Sequence, residues 1–197
     1  MKTINKNISL GNIKSMNKSD NNIILINKNN ENIVDELYFH DENNIKMIQR
    51  YIKKIEKDIR KSDEYSKYIG YLNNEIGIDR CSIKGNIKGS DATLEFHHYP
   101  FTLYDIVEIV MNKYIIENKK FTTFTITEEI MKLHYDNKIG LVKLSKTMHE
   151  LVHSGEIFIP LDSIFGNVNE FINDYYNYIF PDLIEKYNQL IELNNNN

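Results

Sequence analysis

A stripe of isoleucines at helical spacing is the clearest pattern of hydrophobic and polar positions in the chain. The stripe consists of Ile45, Ile48, Ile52, Ile55 and Ile59. Residues spaced by three and four positions lie on one face of an α-helix, and most positions between these isoleucines are polar or charged. We therefore predict an amphipathic helix that packs on the protein's own core. Docking of a protein partner on the 45–59 helix is the alternative.

Helical spacing recurs in the second half of the chain. It predicts helices over 102–115 and 125–134, the latter with Thr125 or Thr127 as its N-cap. A third helix is expected from Ser145 to about Ser154, because serine is a favoured N-cap and Gly155 stands where a helix commonly ends. A long helix is expected from residue 168 onward. Pro181 should split it, because proline cannot continue the helical hydrogen bonds.

Strand patterns are shorter and fewer than the helical ones. The segments NIILIN (22–27), GLVKL (140–144) and EIFIP (156–160) each predict a short strand or extended segment. Residues 81–96 predict a β-hairpin, because two glycines lie near its middle and ATLEF alternates apolar and polar positions. Helices and strands that are mixed in this order predict an α+β fold. We divide the chain into a polar N-terminal arm (1–40), an amphipathic helical region (41–80), a core (81–160) and a C-terminal helix with an Asn-rich tail (161–197).

Composition changes this picture only modestly. The 197 residues suit one domain, and the net charge is −4. An acidic chain is not a typical free-standing nucleic-acid binder, since neutralisation of phosphates supplies most of the affinity of such proteins. Cys81 is the single cysteine, so no disulfide can form within the chain. The sequence has neither a membrane-spanning apolar run nor a signal-peptide core, so we expect an intracellular protein, in the cytoplasm of a host cell.

Histidines carry the candidate chemistry. Four of the six form two pairs, with His97 next to His98 and His149 four residues before His153. Positions i and i+4 share a helix face, so the second pair can direct two imidazoles at one metal ion. A third ligand must come from elsewhere in the chain. An isolated histidine, His134, is predicted to lie on the surface.

The segment HELVH (149–153) matches the H-E-x-x-H signature of zinc peptidases. On that hypothesis Glu150 is the general base and Glu170, within NEFIND (169–174), is the third zinc ligand. The short helix counts against it, because Gly155 follows the second histidine almost at once. The hypothesis also leaves the first histidine pair without a role.

Two segments together resemble the HNH, or His-Me finger, endonucleases. ATLEFHHYP (92–100) is similar to the strand that ends in paired histidines, and GLVKLSKTMHELVHSGE (140–156) is similar to the helix that carries two more. The closest likeness is to members from phages and mobile elements that lack a zinc ribbon. The resemblance implies a ββα-metal core with a helical insertion over 81–160, and flanking amphipathic helices.

The resemblance also implies roles for individual residues. His97, His149 and His153 would hold one divalent metal ion, which could be Mg²⁺, Mn²⁺, Ni²⁺ or Zn²⁺. His98 would be the general base that activates water. The central asparagine of the pattern falls on Gly140 in this chain, so Asn137 is the candidate substitute that would orient the base.

The function that this resemblance implies is metal-dependent hydrolysis of DNA phosphodiester bonds. Lys143 and Lys146 would supply a local basic patch that contacts DNA weakly and with little sequence specificity. The displaced asparagine and the acidic balance favour another hypothesis, in which catalysis is lost and the chain is an interaction or virion-assembly protein. The two hypotheses and the peptidase alternative remain open at the level of sequence.

Overall fold

A computed structural model describes residues 24–26, 35–36 and 42–195 of the chain. The helices in this part are α1 (Glu42–Arg60), α2 (Asp63–Asn74), α3 (Leu103–Ile116), α4 (Thr123–Tyr135), α5 (Lys146–His153), α6 (Val168–Tyr175) and α7 (Pro181–Asn195). The strands are β1 (Ile24–Ile26), β2 (Asp35–Glu36), β3 (Leu94–His98), β4 (Phe121–Thr122) and β5 (Leu141–Ser145). A 3₁₀ turn spans Leu161–Ser163. Most of the predicted N-terminal arm and the end of the Asn-rich tail lie outside the described residues.

The isoleucine stripe packs inside the protein, as predicted. Ile48, Ile52, Ile55 and Ile59 are each no more than 3% exposed. Helix α1 turns this face toward α3 and α4, and the three helices share one apolar core with α2 and α6. The face is therefore occupied within the chain, and only the charged face of α1 is open to a partner.

The predicted helices are present, with one error at an N-terminus. Helix α4 begins two residues earlier than expected, because the hydroxyl of Thr122 accepts the bond from the backbone N–H of Thr125 at 3.1 Å and is the N-cap. The start is set by Phe121, which is 2% exposed and belongs to strand β4. The predicted split of the C-terminal helix is confirmed, since α6 ends before Pro181 and α7 begins at it.

The predicted hairpin over 81–96 is wrong. Strand β3 pairs instead with β5, antiparallel, in a register that runs from Leu94 opposite Ser145 to His98 opposite Leu141. Every residue of β5 is buried. Pairing with β5 therefore places β3 beside a buried and largely apolar strand, which the polar, glycine-containing segment that precedes β3 could not provide. Residues 81–92 form turns, tied down by the bond from the Ser82 N–H to the Lys143 carbonyl at 2.7 Å.

The fold class is α+β, as predicted. Besides the β3–β5 pair there is a three-stranded sheet in the order β2–β1–β4, in which β1 is parallel to β4. Strand β1 confirms the expectation for NIILIN, whereas EIFIP adopts no strand. Across the described residues, no helix combines the length and the apolar character that crossing a membrane requires.

Gly140 gives a direct test of how closely β5 packs. A Cβ at this position would lie 2.1 Å from the carbonyl oxygen of Tyr99 and 2.6 Å from Cγ2 of Val168. We expect Gly140→Ala to lower the free energy of unfolding by about 1–3 kcal/mol, the usual cost of overpacking. Urea denaturation of the purified chain measures it.

Gly70→Ala is the matched control, because Gly70 lies inside α2 and a Cβ there meets nothing within 4 Å. This variant should gain about 0.5–1 kcal/mol, since alanine is the better helix former. Equal stability of the two variants would contradict the packing described for β5.

Candidate metal centre

Helix α5 is placed by the strand that precedes it. Ser145 ends β5 and is also the N-cap of α5, where its hydroxyl accepts the bond from the Met148 N–H at 3.4 Å. Gly155 follows the helix with φ +75, a left-handed conformation that glycine adopts without strain. The predicted start and end of this helix are therefore confirmed. One turn within it separates His149 from His153, so the two rings lie on the same face.

Strand β3 brings a third imidazole to this face. The Nδ1 of His97 lies 3.0 Å from Nε2 of His149, which in turn lies 3.0 Å from Nε2 of His153. One ligand atom from each of the three residues lies within 4.8 Å of the others. Within the described part of the chain, no other group of three or more His, Cys, Asp or Glu side chains meets this condition.

His97 presents its imidazole to the cluster in the neutral form. His97 is half-buried, and burial together with the proximity of His149 and His153 lowers its pKa to about 4. A neutral imidazole offers a nitrogen lone pair, which is the form that binds a metal. A set made only of imidazoles suits Zn²⁺ or Ni²⁺, whereas Mg²⁺ and Mn²⁺ prefer oxygen ligands.

His98 points the other way, because successive side chains of a strand alternate between its faces. It is 2% exposed, and its Nε2 lies 3.0 Å from Nε2 of His134. The Nδ1 of His134 lies 2.8 Å from the carbonyl oxygen of Ile130 and must donate to it. In neutral rings this leaves Nε2 of His134 as an acceptor, so His98 donates from Nε2 and carries its lone pair on Nδ1.

The lone pair on Nδ1 of His98 is shielded from solvent. The Nδ1 of His98 is buried and has no hydrogen-bond partner among the described residues. Burial, and secondarily the proximity of His134, hold the pKa of His98 well below its usual value. The residue predicted to be the base therefore lies apart from the three metal-ligand candidates, on the interior side of β3.

Asn137 lies in the exposed turn between α4 and β5. Asn137 is exposed in a left-handed conformation with φ 55, and its carbonyl accepts the N–H of Asn167 at 2.6 Å. Gly140 occupies the position that the pattern assigns to asparagine, where the crowding described above leaves no room for a side chain.

The two predicted DNA-contacting lysines differ from each other. Lys143 is 7% exposed, and its Nζ donates to the carbonyl of Ile78 at 2.6 Å and to the side-chain oxygen of Asn73. The ammonium group of Lys143 is therefore bonded within the fold. Lys146 is exposed at the start of α5.

The carboxylates that the peptidase hypothesis requires are not part of the cluster. Glu150 is exposed on α5, and Glu170 forms an ion pair with Lys138 at 2.8 Å. The third donor beside the H-E-x-x-H pair is His97 instead. The zinc-peptidase ligand set is therefore not the one that the fold assembles.

His134 was not expected to be in the interior. The surface prediction for it is wrong, since its side chain is fully buried among the rings of Tyr65 and Tyr68. A signal was available in the sequence, because His134 follows Ile126 and Ile130 at intervals of four and continues the buried face of α4.

Comparison with known proteins defines the class of the chain. A family model described as "Bacteriophage G278-like virion protein" matches residues 1–197. The protein belongs to this family of phage virion proteins. No curated protein and no solved structure matches it.

The family match corrects the identification made from sequence. The chain was expected to be an HNH endonuclease, and the family that covers its whole length is one of virion proteins. The resemblance rested on the segments ATLEFHHYP and GLVKLSKTMHELVHSGE, whose paired histidines can serve metal binding or packing without the enzyme. The nuclease and hydrolase assignments are accordingly withdrawn, and the phage origin stands.

The buried pair of His98 and His134 predicts a pH dependence of stability. The pKa of His134 is lowered from 6.5 to about 4, mainly by burial. Between these values the unfolded chain binds a proton that the folded chain does not, so stability is full above pH 6.5 and falls toward pH 4. Each such histidine contributes a slope of about 1.4 kcal/mol per pH unit.

Urea denaturation between pH 7.5 and 5 in the presence of EDTA measures the slope. His134→Gln keeps an amide that can bond His98 but does not titrate, so its slope should be smaller by about one proton. An unchanged slope in this variant would show that His134 is not held neutral by the fold.

Proposed function

We propose that the protein is an interaction and assembly component of the phage particle, whose role depends on its folded surface and not on hydrolysis. The observation that carries this proposal is the match of a virion-protein family model to all 197 residues. Because the match includes the helices on both sides of the histidine cluster, it supports a role for the whole fold.

The surroundings of His98 support the same proposal. A general base must come within about 2.6–3.2 Å of the proton that it removes, directly or through one water. One ring nitrogen of His98 faces His134, and the other is buried without a hydrogen-bond partner among the described residues. The residue is 2% exposed. Its imidazole contributes to packing between β3 and α4.

The arrangement of β3, β5 and α5 is the finer part of the proposed architecture. Two antiparallel strands lead into a short helix, and three histidines meet between strand and helix. We propose that this unit is a metal-binding ββα element that stabilises one end of the protein, with the helical core providing the rest of the scaffold.

The proposed partners are other proteins of the particle, and the proposed location is the assembled virion after synthesis in the host cell. The net charge of −4 and the internal use of the Lys143 charge favour protein partners over nucleic acid. Weak contact with DNA through Lys146 stays a prediction.

Quantitative mass spectrometry of gradient-purified particles tests the proposal. We expect the protein to be present at a constant copy number per particle. The variant His98→Gln separates the assembly hypothesis from the nuclease hypothesis, because it removes the imidazole while keeping an amide that can bond His134. It should enter particles and support the wild-type phage titre, provided that its thermal unfolding shows a folded chain.

Two results would contradict the proposal. One is absence of the wild-type protein from purified particles although it is present in the infected cells. The other is metal-dependent nicking of plasmid DNA by the purified chain that His98→Gln abolishes without loss of folding.

A further inference from the structure

We infer that His97, His149 and His153 bind one Zn²⁺ ion, which joins strand β3 to helix α5 and keeps one coordination position open to the surface. The inference rests on the metal-binding ββα element proposed above, and it names the ion and the ligands from the geometry of these side chains. It does not depend on the proposed role in the particle, so zinc uptake and incorporation into particles are tested separately.

The spacing of the donor atoms is the first argument. Zinc binds imidazole nitrogen at about 2.0–2.1 Å, so neighbouring donors of a tetrahedral site lie about 3.3 Å apart. The two measured contacts, from His149 to His97 and to His153, are each 3.0 Å. The third separation, between His97 and His153, is at most 4.8 Å, so coordination requires the exposed His153 ring to move toward His97.

The origin of the donors is the second argument. His97 and His149 are 52 positions apart in the chain, and only the pairing of β3 with β5 brings them together. All three rings meet edge to face, with centroids 4.5–5.3 Å apart, so their nitrogens converge on one region. Hydrogen bonding between the rings does not account for both contacts, because Nε2 of a neutral His149 carries either one hydrogen or one lone pair and yet lies 3.0 Å from a nitrogen of each neighbour.

The chemistry of the donor set excludes the ions that prefer oxygen ligands. Three imidazoles without a carboxylate favour zinc over magnesium, calcium and manganese. Three protein ligands also leave one tetrahedral position free, as in zinc sites that bind water or an external donor. His153 is exposed, so the free position faces the surface, where solvent or a neighbouring protein can fill it.

The weak anchoring of α5 gives the ion a structural task. The helix has eight residues, and Met148 is its only buried side chain. Helices this short are marginal without tertiary support. A zinc ion held by His97 from β3 and by two residues of α5 would supply that support and protect the end of the fold around Cys81 and Ile159.

Equilibrium dialysis of the full, tag-free chain against Zn²⁺ after EDTA treatment tests the site. The wild type should bind about one equivalent. His153→Ala should weaken binding by 10-fold or more, because even loss of a group that only orients a ligand costs about 10–100-fold. Its ring is exposed, so this variant should stay folded. Glu150→Ala, in the same helix and also exposed, is the matched control and should bind as the wild type does.

Hydrogen exchange gives a second readout. Added Zn²⁺ should slow exchange of amides in α5 for the wild type and Glu150→Ala, and leave His153→Ala unchanged. His149→Ala repeats the test at a half-buried ligand if needed. The inference fails if the wild type takes up no zinc, if His153→Ala retains wild-type uptake, or if bound zinc leaves α5 exchange unaltered.

Discussion

The register between β3 and β5 determines the face of the strand on which each histidine of β3 lies. His97 pairs with Val142 and His98 with Leu141, so one ring faces α5 and the next faces α4. A slip of one residue would exchange the two faces, because side chains alternate along a strand. The metal-ligand candidates would then lose His97, and His134 would lose its partner.

Two features hold that register in place. Ser145 is both the residue opposite Leu94 and the N-cap of α5, so the helix begins at a set distance from the strand pair. At the other end, Gly140 lies against the backbone of Tyr99, an approach that excludes every larger residue. The glycine that looked like a missing catalytic asparagine is therefore explained by packing. In this register His98 lies in the interior, where its Nε2 is 3.0 Å from Nε2 of His134.

Local sequence patterns predicted the helices well. They could not predict which strands pair across long separations in the chain. The spacing of Ile48 and Ile52 is a property of one segment, and a helix needs nothing else to define its apolar face. The pairing of β3 depends on a strand more than forty residues later, and no local signal distinguishes it from a hairpin with the preceding turn. The helix cap at Thr122 was missed for the same reason, since strand β4 sets it through β1.

The candidate site was predicted in part. The i, i+4 spacing of His149 and His153 determined their shared face, and His97 joined them as expected from the resemblance. The resemblance also assigned an enzyme family, which the full-length match corrects. Histidine spacing specifies where donor atoms can meet, but many folds and functions share it. A histidine that acts as a general base must reach its substrate, whereas a packed ring is buried. The burial of His98 depends on His134, which α4 supplies.

The strand register directs His97, and not His98, to the proposed metal site with the two histidines of α5. X-ray absorption at the zinc edge of the loaded full chain measures this most directly, because the outer-shell scattering counts imidazole ligands. We expect three imidazoles at about 2.0–2.1 Å in the wild type and two in His97→Ala. A wild-type site with two imidazoles, or a count that His97→Ala leaves unchanged, would contradict it.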